Sequence, residues 1–182
     1  MTKVLIVAVL CFLGYGVYAQ DTVYLKKEAK NKVYTDRAPQ VVFFELGGPG
    51  LLSVNYDRRF AKQTDGWGFR AGIGYLNPMD FSLLSVPVGI NYLAGKKGKY
   101  FEVGLNESLY FINANRNPGY GSVDIFDTHV ENSKTISLTS LTFGYRSQPL
   151  LGGLCFRVGL MPYTTFSGST NLSAYLSFGY NF

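Results

Sequence analysis

One histidine, His129, stands in the whole chain, inside the polar run Asp127-Thr128-His129-Val130-Glu131-Asn132-Ser133. A base, an orienting carboxylate and a hydroxyl lie close together there. A hydrolytic triad assembles the same types in space: the imidazole takes the hydroxyl proton and the carboxylate holds the imidazole tautomer. That spacing is common in polar loops, and a solvated loop histidine is the plainer reading. No catalytic residue is assigned, and the chain reads as a non-enzyme. His129 and Cys155 do not make a zinc site, and Asp124, Asp127 and Glu131 lack calcium-loop spacing. The glycines from Gly68 to Gly74 alternate along an extended run instead of opening a helix, so they do not cradle a phosphate. No metal or cofactor is expected.

A second set of reactive side chains recurs with a different regularity. Glu45, Asp57, Arg59, Arg70, Glu102, Arg146 and Arg157 each fall in a segment that alternates apolar and polar, and each falls on the polar face. Trp67, Phe69, Ala71, Ile73 and Tyr75 oppose Gly68, Arg70, Gly72 and Gly74. Leu84, Val86, Val88, Ile90 and Tyr92 oppose Ser85, Pro87, Gly89 and Asn91. Phe101, Val103, Leu105, Leu109 and Phe111 oppose Glu102, Gly104, Asn106 and Ser108, and Leu154, Phe156, Val158 and Leu160 oppose Cys155, Arg157, Gly159 and Met161. Leu52, Val54 and Tyr56 oppose Ser53, Asn55 and Asp57. Period two is the signature of β-strands with chemically distinct faces.

The last strand shows what those faces meet. Leu172, Ala174, Leu176, Phe178, Tyr180 and Phe182 share one side; Ser173, Tyr175, Ser177, Gly179 and Asn181 share the other. Apolar faces ending in Tyr, Phe or Trp, with glycine, serine and paired charges opposite, suit strands set between lipid and a polar lumen. The closing strand with a terminal Phe resembles the signature by which insertion machinery recognises outer-membrane barrels. Phe178, Tyr180 and Phe182 are therefore the candidate insertion signal.

The N-terminus gives the same address. Lys3, the apolar run Val4–Leu13 and the small-residue site Val17-Tyr18-Ala19 form a secretory signal peptide over 1–19, too short to span a bilayer. Leu10 before Cys11 argues against lipoprotein processing. One cysteine, Cys155, then remains; it cannot form an internal disulfide and reads as lumen filler. The net charge of +5 is scattered over the Lys-rich stretch before Ala38 and over turns, so no nucleic-acid footprint is indicated. Residues 20–39 read as a polar periplasmic arm, with 40–182 as one barrel domain. No later apolar run is long enough for a membrane helix.

Counting backwards from Phe182 yields an antiparallel up-and-down barrel of about eight strands. Inner turns are placed at 62–66, 94–98 and 148–153, outer ones at 47–50, 77–80 and 167–170, and the long external segment at Asn113–Lys134. The alternative is one kinked strand over Val41–Phe60, with an eighth strand drawn from Val123–Phe126. Two irregularities stand out. Glu107 falls on the lipid face, where a carboxylate is costly. Between Ile136-Leu138 and Leu141-Phe143-Tyr145 the apolar face changes phase, and a β-bulge near Thr139 and Ser140 is the expected remedy; a second bulge or headgroup depth is the expected rescue for Glu107.

The segments Glu45–Phe60 (ELGGPGLLSVNYDRRF), Gly68–Tyr75, Val86–Leu93, Phe101–Leu105, Gly144–Arg146 and Phe156–Gly159 resemble a family of uncharacterised small bacterial outer-membrane barrels. The resemblance covers nearly the whole mature chain and implies the barrel fold, with no activity attached. The architecture is also similar to the transmembrane barrel of outer membrane protein A, a likeness of fold that transfers no function. Some small barrels of this size edit lipid A with a rim histidine, which is the enzymatic alternative for His129. A gated pore is a further alternative for the charged lumen. A secreted soluble barrel binding an apolar ligand would show the same alternation with its faces reversed; too few long charges on the polar face disfavour it. The expectation is thus a monomeric, non-catalytic outer-membrane barrel. An eight-stranded bore holds little but side chains, so the seven ionisable residues are read as a charge-paired plug near the periplasmic end. Outer-membrane lipid and the barrel-assembly machinery are the expected partners.

Overall fold

A computed structural model describes residues 38–78, 81–114, 123–125, 128–130, 133–150, 152–165 and 168–182. The expected signal peptide and nearly all of the expected arm lie outside them. The strands are β1 (Gln40–Gly48), β2 (Leu51–Arg59), β3 (Gly66–Leu76), β4 (Phe81–Lys96), β5 (Lys99–Ala114), β6 (Val123–Ile125), β7 (Thr128–Val130), β8 (Ser133–Ser147), β9 (Gly153–Thr165) and β10 (Thr170–Asn181). Eight of them close a barrel in the order β1-β10-β9-β8-β5-β4-β3-β2, every pair antiparallel, while β6 and β7 form a separate two-stranded ribbon. Closure is made by β1 on β10, from Val41 opposite Asn181 to Leu46 opposite Leu176, and the Phe182 N–H donates to the Gln40 carbonyl at 3.0 Å. None of the eight barrel strands is left with a free edge for another chain to extend.

Local chemistry sets the turns. The kinked single strand over Val41–Phe60 does not form. Gly47 (φ +76°) and Leu51 (φ +61°) turn the chain left-handed on either side of Pro49-Gly50, and β1 pairs back onto β2. Between β4 and β5, Lys97 and Gly98 both take positive φ, which is the two-residue hairpin whose twist matches its flanking strands. The long external segment is shorter as a connection than the sequence predicts, because β5 runs on to Ala114 and β8 begins at Ser133.

The apolar side of each strand looks outward. Leu154, Leu172, Phe178, Leu160 and Val158 are exposed on the wall, as are Trp67, Phe101 and Tyr180. Trp67 packs edge-on against Tyr92 at 5.2 Å, and Phe156 lies 5.3 Å from Phe178, so wall aromatics pair across neighbouring strands. The opposite side is enclosed. This is the reverse of a soluble barrel's arrangement, in which Val158 and Leu160 would be core.

The expected bulge in β8 is absent. β5 and β8 keep one register from Lys99 opposite Ser147 to Asn113 opposite Ser133, and β8 and β9 keep theirs on both sides of Ser140. What changes along β8 is the lumen itself. Leu138 turns inward onto Leu83, Tyr110 and Ile112, with Leu51, Leu76, Phe81, Ile136 and Tyr163 packed around them. The outer end of the bore is therefore apolar, and the same inward face that carries Arg146 and Thr142 at one end carries Leu138 at the other. No bulge rescues Glu107 either. It remains on the outer wall, where its carboxylate accepts hydrogen bonds from Ser137 and from Thr139 (2.6 Å) on the neighbouring strand. Thr139, Thr164 and Thr170 continue this polar row across β8, β9 and β10.

Glycines make room where the lumen is most crowded. Gly144 and Gly159 oppose one another, and Gly159 opposes Tyr175. A Cβ on Gly144 would lie 2.5 Å from the Val158 carbonyl oxygen, 3.1 Å from Gly159 Cα and against the Tyr175 hydroxyl. The tyrosine thus lies over a floor that only glycine supplies.

Two outcomes follow. Gly144→Val should lower stability by about 1–3 kcal/mol, read as the urea midpoint of the protein refolded in micelles; an unmoved midpoint would show that the phenol is not packed there. Glu107→Leu should raise stability in bilayers by roughly 1 kcal/mol, since it removes a carboxylate from a lipid-facing wall. A loss of stability on that substitution would mean that the Ser137 and Thr139 hydrogen bonds outweigh the desolvation.

Candidate functional site

The lumen floor gathers the seven ionisable residues singled out from sequence. Glu45 lies on β1, Asp57 and Arg59 on β2, Arg70 on β3, Glu102 on β5, Arg146 on β8 and Arg157 on β9, and none is more than 2% exposed. Each strand delivers its member because alternation leaves every second residue inward, and register sets their heights. Asp57 opposes Arg70, whereas Arg146 opposes Arg157. Like charges directly opposite repel, so this last pair requires an anion between its members.

Glu102 supplies it. Arg157 donates to the carboxylate through Nε (2.9 Å) and Nη2 (2.5 Å), a two-pronged contact that fixes both groups. Arg146 approaches the same carboxylate through Nη1 at 3.5 Å and reaches Asp57 through Nη2 at 3.1 Å. Asp57 also accepts from Arg59 at 2.6 Å and from Asn91 Nδ2. The same Arg59 Nη2 also donates to Asn91 Oδ1, and Nη1 donates to the Gly66 carbonyl at 2.9 Å. On the far side Arg157 Nη1 donates to Glu45 at 3.1 Å, where Ser177 also donates at 3.0 Å, and Arg70 donates to the other Glu45 oxygen. All seven charges thus join one network spanning six strands.

Aromatic faces pack against its cations. The Phe43 ring lies 4.4 Å from the Arg157 guanidinium and 5.1 Å from that of Arg70, and Tyr175 lies 5.2 Å from Arg157. Cys155 packs on Val41 and Phe43 below them, so it fills space in the lumen. At the inner mouth Gln148 is buried and donates to Asn181 at 3.0 Å; Asn181 donates to the Pro149 carbonyl at 2.6 Å, and the Gln148 N–H to the Gly98 carbonyl at 2.8 Å. These contacts tie the β8–β9 connection to two neighbouring strand ends.

Above the network lies a belt of Asn55, Ser53, Ser85, Asn106, Ser108, Ser140 and Thr142, all buried. Ser85 donates to the Gly50 carbonyl at 2.8 Å and Tyr110 to that of Pro49, so the β1–β2 turn is hydrogen-bonded into the lumen wall. The apolar cluster around Leu83 and Leu138 closes the outer end. Sequence reading missed that cluster. Its signal was present in Leu83-Leu84 and Tyr110-Phe111-Ile112, where consecutive apolar residues require both faces to be apolar.

The backbone of His129 belongs to β7, paired to Asp124 of β6; its side chain, and Asp127, Glu131 and Asn132, lie outside the described residues. No triad can be assembled there from what is described. Among the described residues no group of three or more His, Cys, Asp or Glu forms a metal-holding cluster. Phe178, Tyr180 and Phe182 are exposed on the outer wall of the closing strand.

No family model matches the chain, and no curated protein matches it. Among solved structures, the N-terminal β-barrel domain of Pseudomonas aeruginosa OprF matches at 12% identity with a TM-score of 0.51, over 80% of this chain and 96% of that one. The likeness shows the fold. It is a closed antiparallel barrel of eight strands. Neisserial surface protein A, at 15% identity and a TM-score of 0.41 over 79% of this chain and 92% of its own, is too distant to add to this.

Glu102→Gln should therefore be the most damaging neutralisation in the lumen. It leaves Arg146 facing Arg157 with no charge between them, a loss of about 3–5 kcal/mol. Urea unfolding in micelles measures it; a loss no greater than that of Glu107→Gln on the outer wall would remove Glu102 from the centre of the network.

Proposed function

We propose that this chain is an integral outer-membrane barrel that acts as a closed, non-catalytic wall element and presents its outer strand ends and the β6–β7 ribbon to a partner outside the cell. The observation that carries the reading is the ion-paired floor itself. Seven buried charges knit six strands across a bore with room for little else, which suits a plug far better than a conduit. Around that plug the wall is exposed and apolar, with Leu154 at 82% and Leu172 at 66% exposure. A continuous surface of that kind is stable against hydrocarbon and is a hazard in water. The fold likeness to a solved outer-membrane barrel domain supports the same location.

Export proceeds by the cleaved signal peptide over 1–19. The exposed Phe178, Tyr180 and Phe182 ridge offers the barrel-assembly machinery a handle on β10, the strand whose pairing with β1 completes the wall. The barrel acts as a monomer, in keeping with its eight wall strands, none of which offers an unpaired edge.

Expression with fractionation and planar-bilayer recording tests this reading. The protein should sediment with outer membranes, need detergent for release, shift its gel mobility on heating, and pass no steady current. Recovery from the soluble periplasm would overturn the membrane assignment. Resolved single-channel steps that change size in Arg146→Gln would replace the plug with a gated pore, and a lipid A acyl profile altered by His129→Ala would restore the enzymatic alternative.

A further inference from the structure

The hairpin joining β4 to β5 carries Lys96, Lys97 and Lys99, all three exposed at the inner end of the wall. Lys96 stands directly opposite Lys99 across the ladder, and like charges so placed repel. Lys97 takes φ +55° in the two-residue turn, a position where asparagine, aspartate or glycine costs less. No carboxylate among the described residues pairs with any of the three; Asp65, in the neighbouring inner turn, makes no ion pair with them. The carboxylates of the lumen face inward and are committed to arginines. Three cations are thus concentrated where register and turn chemistry both disfavour them, and only an anion from outside the described chain would balance them.

The wall beside this tip suits a lipid. Leu93 and Tyr100 are buried in the lumen, so alternation turns Lys96 and Lys99 to the same outer face as Tyr92, Ala94 and Phe101. Register then sets the outward residues in rows. Trp67, Tyr92, Val103 and Phe143 form one; Ala94, Phe101 and Tyr145 form the next; Lys96, Lys99 and Ser147 end the wall. Trp67, Tyr92 and Tyr145 are exposed, and such rings gather where hydrocarbon gives way to headgroups. The two lysines lie at the inner margin of that level, at the depth of lipid phosphate. Ala94 stands between Tyr92 on its own strand and Phe101 across the ladder, so its methyl makes a dip between two rings. Ile90 continues the same outward face into the apolar band. An acyl chain laid over Ile90 and Ala94 brings its phosphate to Lys96 and Lys99.

We propose that the β4–β5 tip binds an anionic phospholipid of the inner leaflet, with its phosphate held by Lys96 and Lys99 and one acyl chain in the dip over Ala94. Lys97 adds to the field that attracts the headgroup. The site rests on the outer-membrane assignment proposed for this chain and adds to it a preference among lipids.

Native mass spectrometry tests it on the full chain refolded in neutral-detergent micelles, with phosphatidylglycerol or phosphatidylcholine of the same acyl chains added. The wild type should retain phosphatidylglycerol about tenfold more than phosphatidylcholine. Lys96→Gln combined with Lys99→Gln should abolish that preference, and Lys96→Arg combined with Lys99→Arg should keep it. Ala94→Leu changes no charge, yet it should lower retention by filling the dip. Gel mobility before and after heating checks that each variant is folded. Equal retention of the two lipids by the wild type, an unchanged preference in the glutamine variant, or wild-type retention in Ala94→Leu would each overturn the proposal. So would binding to isolated peptidoglycan that the glutamine variant loses, if no lipid preference accompanies it, since the lysines would then belong to the cell-wall polymer. Recovery of the protein from the soluble periplasm would instead overturn the membrane assignment, whatever the micelles show.

Discussion

Glu102 stands between two arginines that the register of β8 and β9 sets directly opposite one another. Strand pairing alone would bring Arg146 and Arg157 together in a bore too narrow for bulk water to screen them. One carboxylate from β5, held by two arms of Arg157 and one of Arg146, turns that repulsion into a bridge. Asp57 extends it to β2 and Glu45 to β1 and β3. The barrel is thereby cross-braced through its interior as well as laced around its wall. Since each of these groups is buried, removing one partner leaves another stranded, and the network behaves as a unit instead of a sum of pairs.

That interior constraint governs the exterior. Side chains alternate with period two, so a slip of one residue in any strand would send its charge outward and its aromatic or aliphatic neighbour inward. The charged floor and the apolar wall are one specification read from two sides. Pro87 shows how firmly it is kept. It removes a ladder donor in the middle of β4, yet pairing between β3 and β4 resumes with the same offset beyond it, from Ala71 opposite Val88 to Gly74 opposite Ser85. Glu107 shows where the specification is relaxed. The carboxylate stays outward, and hydroxyls from Ser137 and Thr139 satisfy it in place of a change in register.

Much of this was legible in the chain because alternation is local. The eight strands, the inner turns and the inward direction of Arg70, Glu102, Arg146 and Arg157 all follow from which neighbours are apolar. Partner choice was not legible, since Arg157 reaches Glu45 across 112 residues and Arg146 reaches Asp57 across 89. The bulge in β8 was the wrong inference from a real signal. Ile136 and Leu138 do change the phase of the apolar face, but the rule that the lumen is polar fails at its outer end, so the face changes chemistry while the backbone keeps step. The apolar pairs Leu83-Leu84 and Phe111-Ile112 carried the correct reading, because a strand that is apolar on both faces must have grease on both sides.

The two ends of the bore are therefore closed by different physics. The inner end depends on ion pairs and on amides such as Gln148 and Asn181, whose strength follows geometry and charge balance. The outer end depends on Leu83, Ile112, Leu138 and the Tyr110 ring, whose cohesion follows buried apolar area and strengthens on warming from the cold. A perturbation that loosens one need not touch the other. The polar belt of Asn55, Ser85, Asn106 and Ser140 separates them, and several of its groups have spare hydrogen-bonding capacity. Such a belt resembles neither a packed core nor an ion-paired floor. It is the level of the lumen with the fewest internal constraints, and Arg70, the least compensated of the four cations, lies in the same register row as Asn106 and Ser140.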